Sequence, residues 1–329
     1  MRMISLFSGC GGMDLGFHLS GFDIKWANDL DKMACNTYAK NIGNHIVHGD
    51  ITQIDYKQIP DADLVIGGFP CQDFSMIWKR GGINTDRGNL YKNFVEIVSL
   101  KNPLMFVAEN VKGILTANKK KAINTIIEDF SRTGKYGYNT TPYLVNFADY
   151  GAPQLRERVL IIGVRKDIGK FFKIPSPTHS PENYISAKEA LKGVEKVDHN
   201  NEHQNIKEST IQKLKMIPPG GNFTDIPKDS PYYVKGMISH VYRRLHPDKP
   251  STTIIAAGGG GTWGYHYKEP RPLTNRERAR LFGYPDDFVF DGSITDVRRQ
   301  IGNSVPPAGI LPIARQIKKF LEEVKANVY

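Results

Sequence analysis

The chain has 329 residues, 40% of them hydrophobic, and a formal net charge of +10. That composition supplies a sizeable core and excludes global disorder, and no run of about 18 apolar residues offers a membrane span. Three cysteines, Cys10, Cys35 and Cys71, exclude a disulfide framework and fit a reducing compartment, while the N-terminus does not read as a secretory signal.

The first 165 residues alternate apolar strand patterns (3–7, 24–27, 63–66, 104–108, 141–146 and 159–164) with helical patterns near 13–20, 31–40, 88–101 and 120–132. This alternation predicts an α/β fold with a doubly wound, mostly parallel sheet. The last two strands, joined by a short loop, predict an antiparallel edge hairpin. After about residue 170 the texture changes. An extended Pro-containing stretch, 172–178, leads into a polar, turn-rich region with Pro218-Pro219-Gly220-Gly221 and Gly258-Gly259-Gly260-Gly261. It reads as a smaller, irregular domain with short strands. A helix is expected over 274–282, with Thr274 as cap and Glu277 three residues on. A final amphipathic helix is expected over 307–325, with Ile310, Ile313, Ala314, Ile317, Phe320 and Leu321 on one stripe.

The basic excess is uneven. Residues 1–165 carry 19 Lys and Arg against 16 Asp and Glu; the remainder carries 25 against 18. An acidic partner engaged by the second half is one explanation, and charge kept for solubility is the other.

Strand 3–7 runs into Phe7-Ser8-Gly9-Cys10-Gly11-Gly12 and then a helix, an arrangement that lets a ligand approach the backbone. Asp29 ends the second strand pattern about 20 residues later and can accept bonds from ribose hydroxyls. Asp50 follows in Gly49-Asp50-Ile51 and can accept from an adenine amino group. Together these suggest an adenosine-containing cofactor, against a competing reading of both acids as helix caps.

The strand pattern 63–66 ends in Gly67-Gly68-Phe69-Pro70-Cys71-Gln72, which puts a thiol at the carboxyl edge of the sheet. A thiol there can be a nucleophile, a core residue or a metal ligand, and no partner ligands are spaced around it. The next strand ends in Glu109-Asn110-Val111 and reaches the same edge. In Gln154-Leu155-Arg156-Glu157-Arg158 the two arginines would share one strand face, aimed at a pocket or lying exposed.

These runs resemble, in order and over nearly the whole chain, the motifs of bacterial-type DNA (cytosine-5)-methyltransferases. Gly11-Gly12 and the residues before them resemble the first cofactor motif, and Gly68 to Gln72 the catalytic loop. Glu109-Asn110-Val111 and Gln154 to Arg158 resemble the acid and arginine motifs. Arg271-Pro272-Leu273-Thr274 through Gly283-Tyr284-Pro285 and Gln300 through Pro307 resemble the last two. The chain departs from the pattern at Ser5, where Asp is usual, at Asp29, commonly Glu, and at Leu30, often aromatic.

The resemblance implies the S-adenosylmethionine-dependent methyltransferase fold. It implies methyl transfer from S-adenosylmethionine, leaving S-adenosylhomocysteine, to C5 of a flipped-out cytosine in a short duplex DNA sequence. Cys71 would attack C6, Glu109 engage N3, Arg158 bind the base and Arg156 the nearby backbone. The cofactor would touch Phe7, Gly9, Gly11, Gly12, Asp29, Leu30, Asp50, Ile51, Pro70, Leu90, Asn303 and Ser304. DNA would meet Gln72, Ser75, Lys79, Arg80 and Arg87 on a lid, and Arg243, Arg244 and Tyr265 in the second domain. Residues 1–180 with 300–329 would form the catalytic domain and 181–299 the target-recognition domain. No metal and no membrane are expected. A cytoplasmic, nucleoid-associated monomer is expected, serving a restriction-modification system whose companion endonuclease need not touch it. The alternatives are an RNA (tRNA) cytosine-5 methyltransferase of the same fold and a catalytically silent DNA-binding partner. A nicotinamide dehydrogenase is disfavoured by the glycine spacing.

Overall fold

A computed structural model describes residues 1–69, 90–235, 241–256 and 264–328. Pro70, Cys71, Gln72, Ser75, Lys79, Arg80 and Arg87 lie outside the described residues, as does the rest of the expected lid. The chain divides into two compact units. One comprises 1–146, 157–176 and 310–329, and the other 147–156 and 177–309.

The first unit is built on seven strands: β1 (Arg2–Leu6), β2 (Asp23–Asp29), β3 (Ile46–His48), β4 (Leu64–Gly67), β5 (Met105–Val111), β6 (Tyr138–Asn146) and β7 (Glu157–Arg165). They lie in the order β3-β2-β1-β4-β5-β7-β6. Pairing is parallel from β3 through β5 and antiparallel on both sides of β7, which bears out the expected fold class and edge hairpin. Near-continuous apolar runs such as Leu64 to Ile66 and Met105 to Ala108 are fully buried, as a sheet covered on both faces requires.

Helices α1 (Gly12–Leu19), α2 (Lys32–Asn41), α3 (Leu90–Lys101) and α4 (Lys121–Arg132) follow the strands. Asp31 caps α2 by accepting from the amides of Met33 and Ala34. α4 buries Ala122, Ile123, Ile126 and Phe130 on one stripe. Phe130 stacks on Phe106 with centroids 4.0 Å apart. Gly163, opposite Phe106 in the β5–β7 pair, leaves the space this ring needs, since a Cβ there would stand 2.0 Å from it.

The second unit is irregular. Among its described residues the only β-pairings are isolated bridges, Gln154 to Ser251, Arg244 to Tyr265 and Tyr265 to Pro272, so among those residues the expected short strands are reduced to single bridges. Its helices are the single turn α5 (Ala187–Ala190), α6 (Glu208–Met216), α7 (Asn275–Phe282) and α8 (Ile294–Asn303). A small core gathers Leu214, Ile217, Phe223, Ile226, Val241 and Tyr265. The expected Thr274/Glu277 capping box is present on α7. α9 (Pro307–Val328) closes the chain, and from Ile310 onward its apolar stripe is buried within the first unit.

Candidate active site

β1, β2 and β3 are neighbours, and their carboxyl ends deliver Phe7, Asp29 and Asp50 to one edge. Phe7 has φ 56°, a left-handed conformation uncommon for a bulky residue and characteristic of positions that surrounding structure over-determines. Gly9, at φ 55°, has open space where a Cβ would stand, and so does Gly49.

Asp29 accepts from the Gly9 amide at 2.7 Å and from the Asp31 amide at 2.8 Å. It braces the glycine loop while facing the edge. Burial pushes its carboxyl up, against the pull of those two donors. Asp50 spends Oδ1 on the amide and hydroxyl of Thr52 and is exposed. Asp50 therefore caps the short turn that follows it, with its side chain exposed. Ile51 is buried, Leu30 is 69% exposed, and Leu90 opens α3 half-buried. The open glycine cradle and two carboxylates that accept from hydroxyl or amino groups fit an adenosine-containing group.

Next along the edge, β4 ends at Gly67 and leads to Phe69, whose ring is buried against Tyr91 and Phe94. The Asn110 amide donates to the Phe69 carbonyl at 3.0 Å, fixing the backbone two residues before Cys71. The motif Glu109-Asn110-Val111 contains this anchor, but nothing in the pattern distinguishes its role.

Glu109 Oε1 pairs with Arg158 Nε at 3.0 Å, and both side chains are about 15% exposed (16% and 15%). A Cβ on Gly68 would stand 3.1 Å from Glu109 Oε2, so the glycine makes room for the carboxylate. The structure thus brings Glu109 and Arg158 together beside the segment that leads to Cys71.

Arg156 is not on Arg158's strand face. β7 begins at Glu157, and Arg156 is 2% exposed in the second unit. Its guanidinium donates to the carbonyls of Ile254 at 3.1 Å and Gly302 at 3.0 Å. This corrects the expectation of a backbone-contacting arginine: the charge is spent on tying three segments of the unit together. Gly302 belongs to the same knot, since its Cβ would fall 2.3 Å from the Ala256 amide nitrogen.

The second-unit candidates also separate. Arg244 is 7% exposed and donates to the carbonyls of Leu214, Ile217, His266 and Tyr267. Tyr265 is 1% exposed and His266 6%. These three are interior supports, which corrects the reading of Arg244 and Tyr265 as DNA contacts. Arg243 instead lines a small open cavity with Thr252, Thr253 and Arg278. Asn303, at the end of α8, is exposed, and Ser304 caps that helix by donating to the Ile301 carbonyl.

Among the described residues no group of three or more His, Cys, Asp or Glu is arranged to hold a metal ion, and no helix is long and apolar enough to cross a membrane.

Residues 1–319 match the family model of the C-5 cytosine-specific DNA methylases. The chain belongs to this family and is an enzyme, a DNA (cytosine-5)-methyltransferase. It is 58% identical over 324 residues to the type II methyltransferase M.NgoFVII of Neisseria gonorrhoeae, covering 96% of this chain and 86% of that protein. It is 41% identical over 346 residues to M.BbvI of Brevibacillus brevis, covering 98% and 92%. Among solved structures, a prophage-encoded DNA modification methyltransferase of Escherichia coli aligns over 98% of this chain and 99% of its own with TM-score 0.76 and 27% identity. The Schizosaccharomyces pombe Dnmt2 methyltransferase, at TM-score 0.64 and 20% identity over 98% and 99%, shares the fold.

Proposed function

We propose that the enzyme moves a methyl group from S-adenosylmethionine to C5 of a cytosine flipped out of duplex DNA, through a covalent bond between Cys71 and C6. The observation that carries this reading is the Glu109–Arg158 pair at 3.0 Å, at the edge where the chain runs on to Cys71.

In this reading the Cys71 thiolate adds to C6, opening the C5–C6 double bond and making C5 electron-rich. Glu109 holds a proton at N3 and Arg158 donates to O2, so the charge developing on the ring meets fixed partners. S-adenosylmethionine, when bound, supplies the methyl as an electrophile. Loss of the C5 proton to water then expels the thiolate and restores the ring. Because C5 and C6 are shielded in a stacked duplex, the base leaves the helix, at a cost of a few kcal/mol.

Phe7 would stack on the adenine of the cofactor, and Asp29 and Asp50 would accept from its ribose and adenine. Gly9, Gly11 and Gly12 would permit close approach. Leu30, Ile51, Pro70, Leu90, Asn303 and Ser304 would complete the contact. Gln72, Ser75, Lys79, Arg80 and Arg87 would face DNA, with Arg243 doing so from the second unit. Residues 1–180 with 300–329 would carry catalysis, and 181–299 target recognition. The type II names of the relatives support a role beside a restriction endonuclease. We place the enzyme, as a monomer, in the cytoplasm near the nucleoid.

Incubation with tritiated S-adenosylmethionine should label duplex DNA, and bisulfite sequencing should show protected cytosines in one short context. Label confined to RNA would overturn the DNA reading. Cys71→Ser should abolish nearly all turnover, and near-normal turnover would refute the nucleophile.

A further inference from the structure

A hydrogen-bonded chain lies beneath the glycine loop. Asp14, in the first turn of α1, is 1% exposed; Tyr38, on α2, is 0% exposed. The Tyr38 hydroxyl lies 3.0 Å from Asp14 Oδ1 and 3.0 Å from His45 Nε2. His45 is half-buried, so the chain runs from the interior toward the surface. The Tyr38 ring also forms the floor of the loop. Gly11 caps α1 at φ 88°, and a Cβ there would stand 2.8 Å from Tyr38 Cδ2 and 2.3 Å from Ile42 Cδ1.

One hydroxyl cannot donate in both directions at once. If Asp14 carries a proton, it donates to the Tyr38 oxygen and Tyr38 donates to His45. If Asp14 is ionised, Tyr38 donates to Asp14 and His45 presents an Nε2–H to Tyr38. The two states differ by the placement of protons along three residues, of which Tyr38 packs under Gly11 and Asp14 opens the helix that follows it.

We propose that Tyr38 is a positioning residue for the glycine loop, acting through Gly11 and Asp14, and that protonation along Asp14–Tyr38–His45 sets how strongly the loop binds an adenosine group. This rests on the cofactor reading above. Asp14 faces the Ser5 hydroxyl from β1, Tyr38 from α2 and the Asp29 carboxyl from β2; His45 faces Tyr38, His18 and Asp23. Burial pushes the Asp14 carboxyl up to about 7, with the Ser5 and Tyr38 hydroxyls restraining the rise and Asp29 adding to it. Burial and the neighbouring His18 hold the His45 imidazole low.

Asp14 and Asp29 repel each other when both are charged. A ligand that draws on the charge of Asp29 therefore shifts the Asp14 proton, and by linkage its affinity changes with pH across the Asp14 value.

S-adenosylhomocysteine is the probe, because it lacks the sulfonium charge. Calorimetric titration of the full chain from pH 6 to 8.5 should show affinity changing with pH, by at most about tenfold per pH unit for one proton. Asp14→Asn should bind with a flatter profile. Tyr38→Phe should bind several-fold more weakly at pH 6 and lose the same slope. Thermal melts without ligand report separately: the wild type should lose stability from pH 4 to 7 relative to Asp14→Asn. Identical pH profiles for wild type and Asp14→Asn, with both binding, overturn this proposal alone. Absence of binding by the wild type at every pH overturns the cofactor reading and this proposal with it.

Discussion

An added Cβ on Gly68 would stand 3.1 Å from Glu109 Oε2, close enough that the carboxylate must shift by a few tenths of an ångström. Gly68→Ala should turn the carboxylate from Arg158 and lower kcat at least tenfold, about 1.4 kcal/mol at the transition state, with S-adenosylhomocysteine affinity unchanged. Single-turnover kinetics at saturating DNA would check it, and an unaltered rate would deny Glu109 its place in the chemistry. Arg156 calls for the opposite measurement. Its removal strands the Ile254 and Gly302 carbonyls in the interior. Arg156→Ala should therefore cost about 2–4 kcal/mol in stability. A variant that melts like the wild type but binds DNA poorly would restore the surface role that the spacing 156/158 suggests. The two arginines show where sequence reasoning stops. Alternation assigns a face only if both residues are already on the strand, and β7 starts between them. Burial of Arg244 and Tyr265 was equally invisible, since the carbonyls that hold Arg244 come from as far as Leu214 and the core that holds Tyr265 gathers Leu214, Ile217 and Phe223 from distant segments. The meeting of Glu109 and Arg158 was legible because each ends or begins a strong apolar strand run.

At the scale of elements, long apolar runs declared six of the seven strands. β3 was missed, being three residues long with no buried face of its own. α8 was missed although Ser293 and Asp296 form a capping box that a search for that pair would find. Its interior is polar, with Arg298 and Gln300 buried, so apolar periodicity is thin. The last helix was legible from its stripe, and it is held at its far end by Lys325, 2.7 Å from Asp63 at the start of the β4 segment. Burial alone would raise the Asp63 carboxyl, but Lys325 and the Arg2 amide outweigh it and hold it below 3.8. A depressed carboxyl stabilises the fold above its unfolded value and loses that contribution as pH falls through its folded one. Lys325→Met should cost under about 1 kcal/mol at pH 7, because the lysine is partly exposed. Denaturant melts at pH 7 and pH 3 should show the deficit at the first and little at the second. An equal deficit at both would mean the loss is one of packing.

Over the whole molecule, a charge of +10 predicts binding to duplex DNA that weakens steeply with salt. If four phosphates are neutralised, the slope of log affinity against log salt should be about −3.6. A slope near zero, read by fluorescence anisotropy, would return the charge to the role of a solubility device. The chain crosses from its second unit into its first between Arg156 and Glu157, two residues before the guanidinium that pairs with Glu109. What lets it do so is the polarity of β7. A strand inserted parallel to β5 would deliver its opening residues to the far rim of the sheet, near Met105, four residues or about 13 Å from Glu109. Reversing one strand shortens that journey to nothing, and it makes the register between Val111 and Arg158 the alignment that brings the guanidinium to Glu109. A slip of one residue there would send the arginine to the opposite face and leave the carboxylate alone at the rim.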